Sequence, residues 1–230
     1  MKGSQLITLD FLKAHDACAE GRREFERVFP DGGEYQQVLD RCADEDRMDF
    51  AQWLINVCGP SDDVRTFDDD IDEPDKNIAF AGTLYFKKGA NVKRILAGCG
   101  IKAGRDIEAG CGIKAGCGIK AGCGIEAGLG IEAGLGIEAG SGIEAGRDIE
   151  AGWGIKAGRG IKAGWGIKAG EGIEAGWGIK AGCGIKAGEE YGVFAGLSVA
   201  IPHWPQHAVV TAQTRPNNLI SGHWKELESC

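Results

Sequence analysis

From Ile95 to Glu189 the chain repeats one six-residue unit, I-(K/E)-A-G-x-(G/D), sixteen times, with isoleucine at 95 and at every sixth position to 185. This array limits the fold more than any other feature. Two glycines in most units would cost a helix about 1 kcal/mol each, and a period of six does not fit 3.6 residues per turn. Collagen is excluded because the glycines fall at alternating spacings of two and four instead of every third residue. In an extended I-(K/E)-A triplet, Ile and Ala face one way and the charged residue faces the other. Gly-x-Gly then supplies a corner. A short fixed period of this kind marks a solenoid, in which each unit buries its apolar face by stacking on the next. The expected fold is mainly β, a hexapeptide-repeat β-solenoid, with a small α-helical N-terminal module.

The variable slot bears on the number of hexads per coil. Trp153, Trp165 and Trp177 are spaced by 12, so a flat two-hexad coil would stack them in a ladder. Cys99, Cys111 and Cys123 would stack in the same way. This favours 12 residues per coil and eight coils; a triangular coil of 18 is the alternative. Outward charges come in blocks: Glu126, Glu132, Glu138, Glu144 and Glu150, then Lys156, Lys162 and Lys168. Like charges on neighbouring coils repel, so the blocks predict a rod with an acidic middle and a more basic C-terminal half.

The flanks differ in composition. Residues 1–60 read as three or four short helices, with Leu9, Phe11 and Leu12, then Phe25, Val28 and Phe29, then Trp53, Leu54 and Val57 as apolar faces. Pro30-Asp31-Gly32-Gly33 interrupts them. Residues 61–76 are acidic and read as a solvated linker. Asp68, Asp70 and Asp72 alternate as in a calcium loop, but Glu73 stands at the glycine position and Ala79 at the bidentate glutamate position. Residues 77–94 read as strands that begin the stack, 95–190 as the hexad solenoid, and 191–230 as a C-terminal cap.

The net charge of −8 is uneven: −9 over residues 1–90, +1 over 91–190 and zero over the last forty. No basic face predicts nucleic-acid binding. The longest apolar runs fall short of a membrane span, and the N-terminus lacks the apolar core of a signal peptide. The expected setting is therefore cytoplasmic, with no membrane partner. Five of the nine cysteines (Cys99, Cys111, Cys117, Cys123 and Cys183) occupy the variable slot and are expected to be reduced.

Motifs for chemistry are weak. GCGIKAG does not have the G-x-G-x-x-G spacing, and no phosphate-loop Lys-Ser/Thr follows it. His203 and His207, with Cys230 as a third ligand, offer a thin zinc reading, and Pro202 and Pro205 disfavour the helix that would align the imidazoles. No catalytic, cofactor or metal residue is assigned. Trp153, Trp165 and Trp177 are the candidate interaction surface.

The stretch FLKAHDACAEGRREFERVFPDGGEY resembles the N-terminal segments of uncharacterised bacterial and phage-encoded proteins that join a short helical module to low-complexity repeats. The GIKAG/GIEAG array resembles, in pattern, the repeats of polymer-forming β-helical proteins such as bactofilins. These resemblances imply a non-enzymatic scaffold, phage- or prophage-encoded, that binds a protein partner or self-associates. The alternative is a phage-encoded inhibitor of a host nucleic-acid enzyme, using an acidic surface that mimics DNA.

Overall fold

The computed structural model of the chain describes residues 5–227. Every hexad forms a short strand on its I-(K/E)-A triplet, and these strands pair in parallel. Ile119 sits in register between Ile101 and Ile137, so one turn takes 18 residues. The fold is a mainly β, parallel β-solenoid of about nine turns. At about 4.8 Å per turn the stack is roughly 43 Å long.

The triangular coil replaces the flat 12-residue coil that the tryptophan spacing favoured. Backbone conformation gives the reason. Turn types II, I′ and II′, which fold a chain tightly back on itself, each need a residue with positive φ. The positive-φ glycines among the described residues are Gly32, Gly59, Gly196 and Gly222, none of them in the repeat. The corners of the repeat therefore use none of those turn types, and the register shows three such corners closing each coil.

Three isoleucines and three alanines per turn fill the interior. Every hexad isoleucine from Ile95 to Ile179 is at most 1% exposed. Burial of each contributes about 1.5–3 kcal/mol. Between turns, each corner also holds backbone hydrogen bonds: Gly134 N–H donates to Ala115 O, Leu135 N–H to Cys117 O and Ile137 N–H to Gly154 O, at 2.9–3.0 Å.

The two glycines of the unit have different reasons to be glycine. A Cβ on Gly134, which follows Ala, would lie 2.0 Å from Gly116 O of the preceding turn. A Cβ on Gly136, which precedes Ile, would lie 3.3 Å from Gly154 O. Apart from Gly110, which faces open space, the first position admits no side chain, whereas the second, apart from Gly178 near the C-terminal end, admits one with small adjustment. The sequence agrees, since aspartate replaces only the second glycine, at Asp106 and Asp148. There each carboxylate accepts from the backbone of the next turn, Asp106 from Gly124 N–H at 2.7 Å and Asp148 from Gly166 N–H at 2.9 Å.

The stack begins earlier and ends later than the array. The acidic stretch expected to be a linker carries β3 (Val64–Phe67) and most of β4 (Ile71–Phe80). With β5 (Thr83–Phe86) and β6 (Ala90–Ala97) they form the opening turns. Asp68, Asp69 and Asp70 pair with Lys87, Lys88 and Arg105 respectively, instead of converging on a cation. At the other end, Val193 and Val210 take the isoleucine positions above Ile173 and Ile179, and Leu219 and Trp224 follow them.

The N-terminal module contains α1 (Leu9–Ala14), α2 (Ala19–Val28), α3 (Tyr35–Asp44) and α4 (Met48–Cys58). A two-stranded ribbon, β1 (Leu6–Ile7) with β2 (Gly33–Glu34), braces it. Thr8 Oγ1 caps α1 by accepting from Phe11 N–H, and Gly59 at φ +78° ends α4. The module packs against outward-facing residues of the first turns. Ala79, Ala81 and Leu96 join its core, with Leu96 standing where later hexads carry Lys or Glu. Gln36 clasps the strand edge, donating to Ala79 O at 2.9 Å and accepting from Ala81 N–H at 3.1 Å. Asp40 takes both terminal nitrogens of Arg65. Asp46 accepts from Lys93 at 2.7 Å and Asn77 at 3.0 Å. Those two donors, Lys93 first, hold the Asp46 carboxyl below its ordinary pKa.

Candidate interaction surfaces

The 18-residue turn sorts the variable-slot residues into three corner columns. Trp153 follows Leu135 and precedes Glu171 in one column. Trp165 follows Arg147 in the second, and Trp177 follows Arg159 in the third. The tryptophans therefore do not form a ladder; each points from a different corner. They remain 55%, 56% and 46% exposed. Arg147 lies over the Trp165 ring at 5.4 Å and Arg159 over the Trp177 ring at 5.9 Å, which covers part of each face.

The same sorting undoes the cysteine ladder. Cys99 and Cys117 stack on consecutive turns, while Cys111 and Cys123 sit on the other two corners. The Cys99 thiol is raised above its ordinary pKa, first by burial and then by Cys117. His203 and His207 lie with ring centroids 6.3 Å apart, and His207 packs 5.7 Å from Trp177. Cys230, the third residue of the zinc reading, lies outside the described residues. Among the described residues no group of three or more His, Cys, Asp or Glu is placed to hold a metal.

The charge blocks also change meaning at a period of 18. Lys162 pairs with Glu144, Lys168 lies 3.9 Å from Glu150, and Lys120 lies 2.9 Å from Glu138. Lys114 with Glu132 at 2.8 Å and Lys156 with Glu174 at 3.3 Å complete the set. The expected split into an acidic middle and a basic half is thus partly neutralised between turns. Such exposed pairs each contribute up to about 1 kcal/mol.

A second surface, absent from the sequence reading, lies in the helical module. A half-open apolar cavity of about 280 Å³ sits between α2, α3 and α4. Phe25, Val38, Phe50, Trp53 and Leu54 line it, Gly21 leaves room on α2, and Cys18 and Cys42 border it. Burial pushes the Cys42 thiol up to about 11. The one available signal was a glycine in the first turn of a helical pattern, because Gly21 is the only residue of α2 without a side chain to fill that space.

The fold and surfaces define a helical domain docked on a hexapeptide-repeat β-solenoid. Residues 1–58 match the family model described as the YdhT N-terminal domain, about a quarter of the chain. No curated protein and no solved structure matches the sequence. Among the described residues no helix is long and apolar enough to cross a membrane.

Proposed function

We propose that the protein is a non-enzymatic interaction scaffold, a three-sided rod that associates with further copies of itself through its corners. The observation that carries this reading is the exposure of Trp153, Trp165 and Trp177 on three different corners. Tryptophan is enriched at protein interfaces, where its large ring is buried by the partner. Corners facing three directions suit side-by-side packing of rods better than one flat partner. The DNA-mimic reading has less support, because Asp68, Asp69 and Asp70 are each paired with a cation.

Sedimentation velocity tests the proposal. The wild type should show species above the 24.3 kDa monomer, and Ser at positions 153, 165 and 177 together should shift the distribution to the monomer. A wild-type protein that stays monomeric at high concentration would rule out the self-association reading.

A further inference from the structure

We infer that the cavity of the helical module is a binding site for a small, neutral, largely apolar molecule. This goes beyond the scaffold reading and does not depend on it. Size sets the first limit. A dry apolar cavity of about 150 Å³ holds benzene, so 280 Å³ suits a ligand of roughly two rings. Ligand pockets of this kind are concave and apolar, with few polar groups. Here Phe25, Phe50 and Trp53 supply aromatic walls, and Val38 and Leu54 supply aliphatic ones.

Charge sets the second limit. The charged residues around the opening are engaged with one another. Arg41 pairs with Glu45, Arg47 with Glu20 at 3.0 Å, and Glu24 with Arg27 at 2.5 Å. Arg47 also lies 4.0 Å over the Phe50 ring. Each of these cations already faces a carboxylate, which offsets its pull on a ligand anion. Asp16 also borders the cavity, and its carboxylate opposes an anion there. Cys42 is held as the neutral thiol, which suits an apolar occupant.

The test compares two dyes built on the same two-ring naphthalene, 1-naphthylamine, which is neutral, and 5-aminonaphthalene-1-sulfonate, which is anionic. The full chain should bind the neutral dye saturably, one per chain, with quenching of tryptophan emission. The sulfonate should bind at least tenfold more weakly. Gly21→Leu, which places a side chain in the cavity, should weaken the neutral dye at least tenfold. A second measurement needs no variant. The neutral dye should slow alkylation of Cys42, which borders the cavity, and leave exposed Cys183 on the solenoid unaffected. Absence of saturable binding, equal affinity for the sulfonate, or no protection of Cys42 would each overturn the inference. If Gly21→Leu fails to fold, the dye comparison and the Cys42 protection decide it.

Discussion

The helical module and the solenoid bury apolar side chains in opposite ways. The module uses many residue types, Ile7, Leu12, Phe25, Tyr35, Leu39, Met48 and Leu54 among them, and encloses a cavity. The solenoid uses almost only Ile and Ala, one of each per hexad, stacked in register. A varied core must be fitted together from unlike shapes, and gaps remain where it is not. A repeated core solves its packing once and copies the solution. The cost of copying is that every turn carries the same rigid requirement at its corners. The expected consequence is a solenoid intolerant of change at a few repeated positions, beside a module that yields more readily.

The largest effect should come from the corner glycines. Gly134→Ala forces a Cβ to 2.0 Å from Gly116 O, so a turn must shift, at a cost of about 3 kcal/mol or more. Gly136→Ala, two residues on, meets its nearest atom at 3.3 Å and should change stability several-fold less. Urea unfolding followed by circular dichroism measures both. Equal effects would break the distinction between the two glycines.

Next come the cores themselves. Ile137→Ala and Leu54→Ala each remove a fully buried aliphatic side chain, with an expected range of about 2–5 kcal/mol. Ile137 lies between Ile119 and Ile155 in a stack that cannot collapse around the gap. Leu54 already borders open space. The solenoid variant should therefore fall near the upper end of the range and the module variant near the lower. The reverse order in unfolding midpoints would mean that the module is the better packed of the two.

The smallest effect concerns the seam between the two regions. The Asp46 carboxyl has a folded pKa below its ordinary value of 3.8. Its contribution is therefore present above pH 3.8 and is lost as pH falls through the lower folded value. Asp46→Asn should lower the melting temperature slightly at pH 6, and the difference from wild type should vanish in acid. A difference that persists in acid would show that Asp46 acts through the geometry of its hydrogen bond from Asn77 instead of its charge.

Parts of this architecture were legible from residue order. The Ile-x-Ala alternation placed every hexad strand and its buried side chains, because a strand's two faces follow from its period of two. The N-terminal helices followed from their apolar faces and from the break at Pro30–Gly33. The acidic segment 61–76 was misread as a linker, because composition does not show that Lys87, Lys88 and Arg105 of later turns neutralise it. The tryptophan spacing of 12 pointed to a ladder that does not exist. The cavity left only Gly21 as a trace, since an unfilled volume is defined by residues far apart in sequence.

What the sequence determined by itself is local: a six-residue unit, its strand, its corner and its inward isoleucine. What only the tertiary structure decided is how many units close a turn, and with that number every relation between turns. A turn of 18 scatters Trp153, Trp165 and Trp177 to three corners, sets Glu144 beside Lys162, and separates Cys111 from Cys123. The physical reason is that the repeat fixes what each residue faces within its own strand. Its neighbour on the next turn depends on the bend of the Gly-x-Gly backbone, which closes in three steps without positive φ.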